Sequence, residues 1–78
     1  MMTRANFEQA MRSFLHRKPF HPFVIEFDDG EQWVVGKPET LMYSDGGTAV
    51  FFRQDGSFDF IDSDAVQRAL ELSAANPN

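Results

Sequence analysis

Apolar residues near the start of the chain recur at the period of an α-helix. They fall at relative positions i, i+3, i+4, i+7 and i+8, which places them on one helical face. The members of this stripe are Phe7, Ala10, Met11, Phe14 and Leu15. The pattern predicts an amphipathic helix over residues 4–17, with its apolar face against a core.

Local signals define both ends of this helix. Thr3 is a suitable N-cap, because its hydroxyl can accept a hydrogen bond from the first helical turn. Glu8 and Arg12 are four residues apart and can pair on the opposite face. Pro19 ends the helix, since proline lacks a backbone N–H. In the extended connector that follows, we expect Phe20 and Phe23 to anchor the chain on the core.

Beyond residue 23 the pattern changes to the two-residue alternation of β-strands. Phe23, Ile25 and Phe27 point to one side of a half-buried strand. Asp29-Gly30 is a strong hairpin signal, and residues 31–36 form the predicted return strand.

Two further strands follow, joined by a hairpin at Asp55-Gly56. Residues 48–53 are almost continuously apolar, so this strand is predicted to be central. Phe58 and Phe60 alternate with polar residues in the next strand. Residues 41–43 are either a short strand or a covering loop, and residues 44–47 form a turn.

The last segment permits two interpretations. Its composition favours a helix from Ala65 to Ala74, capped by the acidic run at 62–64. Alternatively, residues 62–65 form a turn and residues 67–72 a fifth strand that closes the sheet and removes an exposed edge. Overall, the patterns predict an α+β, mainly β domain. The helix precedes an antiparallel β-meander, with a loose tail at 73–78.

Composition indicates how such a chain could be stabilised. Its 78 residues include nine Phe, one Trp and one Tyr but no Cys, so apolar burial must replace disulfides. This length is enough for a single domain spanning residues 1–78. A homo-oligomer that covers remaining aromatic surface is a plausible second source of stability. The lack of Cys, of a signal peptide and of a long apolar segment predicts a cytoplasmic protein.

The charge is unevenly distributed. Residues 1–22 carry four Lys or Arg against one acid, whereas the remainder carries three against eleven, and the net charge is −5. An acidic sheet repels phosphate, which disfavours general nucleic-acid binding.

The residues that usually carry catalysis or metal binding do not form a recognisable arrangement. The sequence has no phosphate-binding glycine loop and no nucleophile elbow. His16 and His21 lack the spacing of a zinc pair. The acidic run at residues 59–64 lacks the spacing of a calcium loop. The sequence therefore predicts no enzyme activity, no cofactor and no metal site.

The aromatic residues of the β part are candidates for a binding surface, although most must be core. They are Trp33, Tyr43, Phe51, Phe52, Phe58 and Phe60. Val50 and Phe52 face away from Phe51, so one of these two sets needs a cover, either the helix or a partner chain. We select Trp33, Tyr43 and Phe52, with Arg17 and Lys18, as candidate partner-binding residues.

The overall pattern resembles a group of small uncharacterised bacterial proteins. The resemblance spans about residues 7–72 and rests mainly on the element Arg17-Lys18-Pro19-Phe20-His21-Pro22-Phe23, followed by the Asp-Gly hairpins and Ile61-Asp62. The group usually has His where this chain has Lys37. The resemblance implies a small barrel of SH3-like or Sm-like type, and a turn and strand in the last segment. With that strand, the expected fold is a helix followed by a five-stranded antiparallel meander over residues 23–72, closed or nearly closed. It implies no particular activity.

Two functions from different classes follow. The first is a non-catalytic module that binds a protein partner or itself through a sheet edge or the aromatic surface. The alternative is nucleic-acid binding of the Sm or SH3-like kind, with Arg4, Arg12, Arg17 and Lys18 facing phosphates.

Overall fold

A computed structural model describes residues 1–44 and 46–74 of the chain. Within these residues, one helix is followed by six strands, with three short 3-10 turns between or after them. The helix and strands are α1 (Arg4–Leu15), β1 (Phe23–Phe27), β2 (Gln32–Val35), β3 (Leu41–Tyr43), β4 (Thr48–Phe52), β5 (Phe58–Asp62) and β6 (Val66–Glu71). The 3-10 turns are Pro38–Thr40, Ser63–Ala65 and Leu72–Ala74.

The helix is capped at Thr3 as predicted but ends earlier than residue 17. The Thr3 hydroxyl accepts a hydrogen bond from the N–H of Asn6 at 3.1 Å. The N–H of His16 makes the last helical bond, to the carbonyl of Arg12. Arg17 then leaves the helix axis and pairs with Glu71 of β6. No helix in the described part of the chain is long and apolar enough to cross a membrane.

The prediction of a single five-stranded meander was wrong, as was the prediction of a closed or nearly closed barrel. The strands form two separate antiparallel sheets of three. The first sheet has the order β2-β1-β6 and the second has the order β3-β4-β5. Pro38 begins the turn between β2 and β3, and these strands therefore do not continue one ladder.

The last segment adopts the turn-and-strand alternative. Residues Ser63–Ala65 form a single 3-10 turn, and β6 then pairs with β1 along its length. The hydrogen bonds between β6 and β1 outweigh the intrinsic helical preference of residues 67–71. Of the tail predicted at 73–78, residues 73 and 74 belong to a 3-10 turn, while residues 75–78 lie outside the described part. Asp45, within the turn predicted at 44–47, also lies outside the described part.

One apolar cluster joins the helix to both sheets. Its fully or almost fully buried members come from α1, from β1, β2 and β6, and from β3, β4 and β5. They are Phe7, Met11, Phe23, Ile25, Val35, Leu41, Ala49, Ile61 and Val66. Phe14 stacks on Phe23 with ring centroids 4.8 Å apart, and Phe20 packs edge-on against the same ring. Phe20 and Phe23 thus anchor the connector as predicted.

Backbone hydrogen bonds fix the start of the chain to the second sheet. The N–H of Met2 donates to the carbonyl of Ser63, and the N–H of Ser63 donates to the carbonyl of Gly47 at 2.8 Å. Gly47 has a φ of +79°, and a Cβ there would lie 2.8 Å from the Arg4 Cγ and 2.9 Å from the Ser63 Oγ. This junction requires glycine both for its conformation and for its space.

We therefore expect Gly47→Ala to destabilise the fold more than Gly30→Ala. Both glycines have positive φ, but a Cβ at Gly30 meets no atom within 4 Å. The shared backbone strain costs about 1–2 kcal/mol, and crowding at Gly47 should add about 1–3 kcal/mol. Urea unfolding followed by circular dichroism measures the difference. Equal midpoints for the two variants would contradict the tight junction.

Candidate functional site

A contiguous apolar surface covers the outer side of the second sheet. It comprises Met42 of β3, Val50 and Phe52 of β4, and Phe58 and Phe60 of β5, and is called here the aromatic face. The exposed fractions are 62% for Met42, 39% for Phe52, 53% for Phe58 and 71% for Phe60. Side chains this large are seldom left in solvent together on one sheet.

The strand register aligns these residues in two rows. Met42, Val50 and Phe60 are direct partners across the three strands, and Phe52 is the partner of Phe58. The rings of Phe52 and Phe58 lie 6.2 Å apart, and those of Phe58 and Phe60 meet edge to face at 5.8 Å. These contacts give the face a continuous surface of rings.

The size of the aromatic face is close to that of a functional patch. From the exposed fractions, its four largest side chains expose roughly 400 Å² of surface. The largest apolar patch on a typical monomer is about 300–600 Å² and is often functional. The extent of this face therefore marks it as the leading candidate site.

The opposite, inner side of the same strands joins the core and carries one carboxylate. The register places Asp59 opposite Phe51 and Ile61 opposite Ala49 on this side. Asp59 is half-buried and pairs with Arg53. The guanidinium of Arg53 lies 4.9 Å from the ring centre of Trp33 and 5.4 Å from that of Phe51. The inner side thus carries the half-exposed Asp59, whereas the outer side carries three phenylalanines.

The outer side of the first sheet has a different character. Gln32, Glu26 and Arg68 form a polar row across its three strands. The carboxylate of Glu26 accepts hydrogen bonds from Arg68 at 2.5 Å and from Gln32 at 3.1 Å. These bonds, that from Arg68 foremost, hold the pKa of Glu26 below its ordinary value of 4.5. A polar row of this kind is suited to solvent.

The structure separates the three aromatic residues selected from the sequence. Trp33 packs between the sheets. Its ring centroid lies 4.7 Å from that of Phe27 and 5.4 Å from that of Phe51, and its indole N–H donates to Glu31. Tyr43 is half-buried on the inner side of β3. Only Phe52 belongs to the aromatic face.

Arg17 and Lys18 lie at the end of the helix, apart from Phe52. Arg17 pairs with Glu71, and its guanidinium lies 5.2 Å from the ring centre of Phe14. Lys18 is exposed beside a shallow pocket that it shares with Leu15 and Pro38. The five residues selected from the sequence therefore do not form one site.

A groove of about 570 Å³ borders the aromatic face at Phe52. Val34, Phe51 and Phe52 provide apolar lining, while Lys37 and Arg53 provide positive charge. Asp55 lies at its rim and accepts hydrogen bonds from the hydroxyl and N–H of Ser57, which lower the pKa of Asp55. The groove extends the surface available to a bound chain beyond the rings themselves.

Sequence reasoning named Phe58 and Phe60 among the candidate aromatic residues but did not select them, and it selected neither Met42 nor Val50. A signal was present in the hairpin. The Asp55-Gly56 turn fixes the register, so Phe58 and Phe60 must share a side with Val50 and Phe52. The sequence did not show which side would face the helix.

Comparisons with known proteins add no assignment. No protein-family model matches the chain, and neither the curated proteins nor the solved structures gave a significant match. Within residues 1–44 and 46–74, no group of three or more His, Asp or Glu side chains is arranged to hold a metal ion.

The polar row predicts a measurable titration. Arg68→Gln should raise the pKa of Glu26 toward 4.5, because the strongest donor to its carboxylate is lost. A carboxyl with a lowered pKa stabilises the fold above its unfolded pKa, and this contribution disappears as the pH falls below about 4.5. NMR titration of the side-chain carboxyl carbon measures the shift. Arg12→Gln, which breaks a pair with Glu8, is the control and should leave Glu26 unchanged.

Proposed function

We propose that this protein is a non-catalytic interaction module of the cytoplasm that associates with a protein surface through the aromatic face. The observation that carries the proposal is the contiguous exposure of Met42, Phe52, Phe58 and Phe60 on one sheet. Aromatic and Met side chains are enriched where proteins bind one another. Lys37 and Arg53, which line the groove at Phe52, would supply the polar rim of the interface.

The choice of buried side supports this proposal. An isolated domain gains most by burying its most apolar side, at about 25 cal/mol for each Å² of apolar area. Here the inner side of the second sheet carries Asp59, whose carboxylate pairs with Arg53, while the outer side carries three phenylalanines. The three phenylalanines gain this burial free energy only when another surface covers them.

The alternative, a nucleic-acid-binding protein of the Sm or SH3-like kind, has less support. Of its four proposed phosphate contacts, Arg12 pairs with Glu8 and Arg17 pairs with Glu71. Arg4 and Lys18 lie at opposite ends of a helix that is about 18 Å long. The ion pairs of Arg12 and Arg17, and the separation of Arg4 from Lys18, both argue against one shared phosphate-binding surface.

Photo-crosslinking tests the leading proposal. A photoreactive phenylalanine analogue at position 60, in the cells that make the protein, should form a discrete protein adduct. The same analogue at Leu72, an exposed apolar position outside the aromatic face, should not. Because the side chain at position 60 is 71% exposed, folding should be unaffected. The absence of any adduct at position 60, together with a strictly monomeric protein, would overturn the proposal.

A binding assay separates the two functions. We expect single-stranded RNA and duplex DNA to bind no more tightly than the ~10⁻⁴–10⁻⁶ M typical of non-specific binding. Fluorescence anisotropy over a range of salt concentrations measures this. Tighter binding that falls with added salt and with Arg17→Ala/Lys18→Ala would instead favour the nucleic-acid alternative.

A further inference from the structure

We infer that the partner of the aromatic face is a second copy of this chain, which packs face to face about a twofold axis. This inference rests on the proposed function and names the surface that covers the site. A twofold interface places the same patch against itself, so the patch must be compatible with its own copy.

The aromatic face meets that requirement because it carries no charged side chain. Its middle row consists of Met42, Val50 and Phe60, and the adjoining row of Phe52 and Phe58. The first acid on this side is Asp62, which lies at the end of β5 opposite Thr48. Self-pairing would therefore bury rings and aliphatic groups without placing like charges in the centre.

The area also corresponds to a stable dimer. An interface is about 57% apolar, so roughly 400 Å² of apolar surface implies about 700 Å² per copy once the rim is included. A standard interface buries about 800 Å² per partner. The face is thus large enough for a specific twofold contact, and two sheets can pack at about 10 Å through such side chains.

The sequence of β4 agrees with this inference. Ala49, Val50, Phe51 and Phe52 are consecutive apolar residues in the central strand of the second sheet. Continuous apolar runs are typical of strands that are buried on both sides. In one copy the side with Ala49 and Phe51 packs against the core, and a second copy would cover the side with Val50 and Phe52.

The net charge determines how this association should respond to salt. Each copy carries a charge of −5, so two copies repel one another outside the neutral centre. Added salt screens that repulsion, and the dimer should become tighter. A basic partner protein would show the opposite response, because its attraction to the acidic chain would be screened.

Sedimentation velocity over a range of protein and salt concentrations tests the inference. The unmodified chain should convert from monomer to dimer as its concentration rises, and more readily in high salt. Phe60→Asp should weaken the dimer at least about 30-fold, as expected for a central aromatic anchor. Leu72→Asp adds the same charge at an exposed apolar site elsewhere and should dimerise like the unmodified chain.

The absence of Cys permits a second, local measurement. Val50→Cys, in the middle row, should give covalent dimers with a short bis-maleimide reagent, whereas Leu72→Cys should not. A dimer that is insensitive to Phe60→Asp, or that weakens with salt, would overturn the inference. A monomer whose position 60 crosslinks to a different protein would overturn it but leave the proposed function intact. A monomer without adducts would overturn both.

Discussion

The burial of Phe7 and Met11 against both sheets is the contact on which the rest of the architecture depends. Neither three-stranded sheet shares a hydrogen-bonded ladder with the other. They are held together by one apolar cluster, and the two helical side chains are fully buried within it. Because the cluster draws residues from α1, from the first sheet and from the second, the helix organises the sheets rather than covering a finished barrel.

The side of the second sheet that meets this cluster determines the exposed surface. Side chains alternate along a strand, so placing Ala49 and Ile61 inward necessarily turns Val50 and Phe60 outward. Within the described residues, the helix packs toward the side of β4 that carries Ala49. The aromatic face is therefore a direct consequence of the helix position.

Local signals allowed much of this arrangement to be predicted from the sequence. The stripe of α1, the Thr3 cap and both Asp-Gly hairpins are encoded by neighbouring residues, whose geometry depends little on distant contacts. The return of β6 to β1 depends on a partner more than 40 residues away, so helical propensity in residues 67–71 was a poor guide. The separation of the sheets at Pro38 was likewise misjudged, since proline indicates a break but not where the next strand pairs.

The candidate site also depends on distant contacts that the local sequence does not encode. Trp33 was selected because large aromatics often anchor partners, yet its position opposite Ile25 turns it toward the core. Phe60 was expected in the core because a short chain needs its aromatic residues for stability. That expectation assumes a chain that folds alone, whereas a self-associating chain can bury the same ring in its copy. An energetic requirement for burial is therefore compatible with exposure in one copy. If the chain self-associates as proposed, its aromatic residues divide between two cores, one around Phe7 and one at the aromatic face.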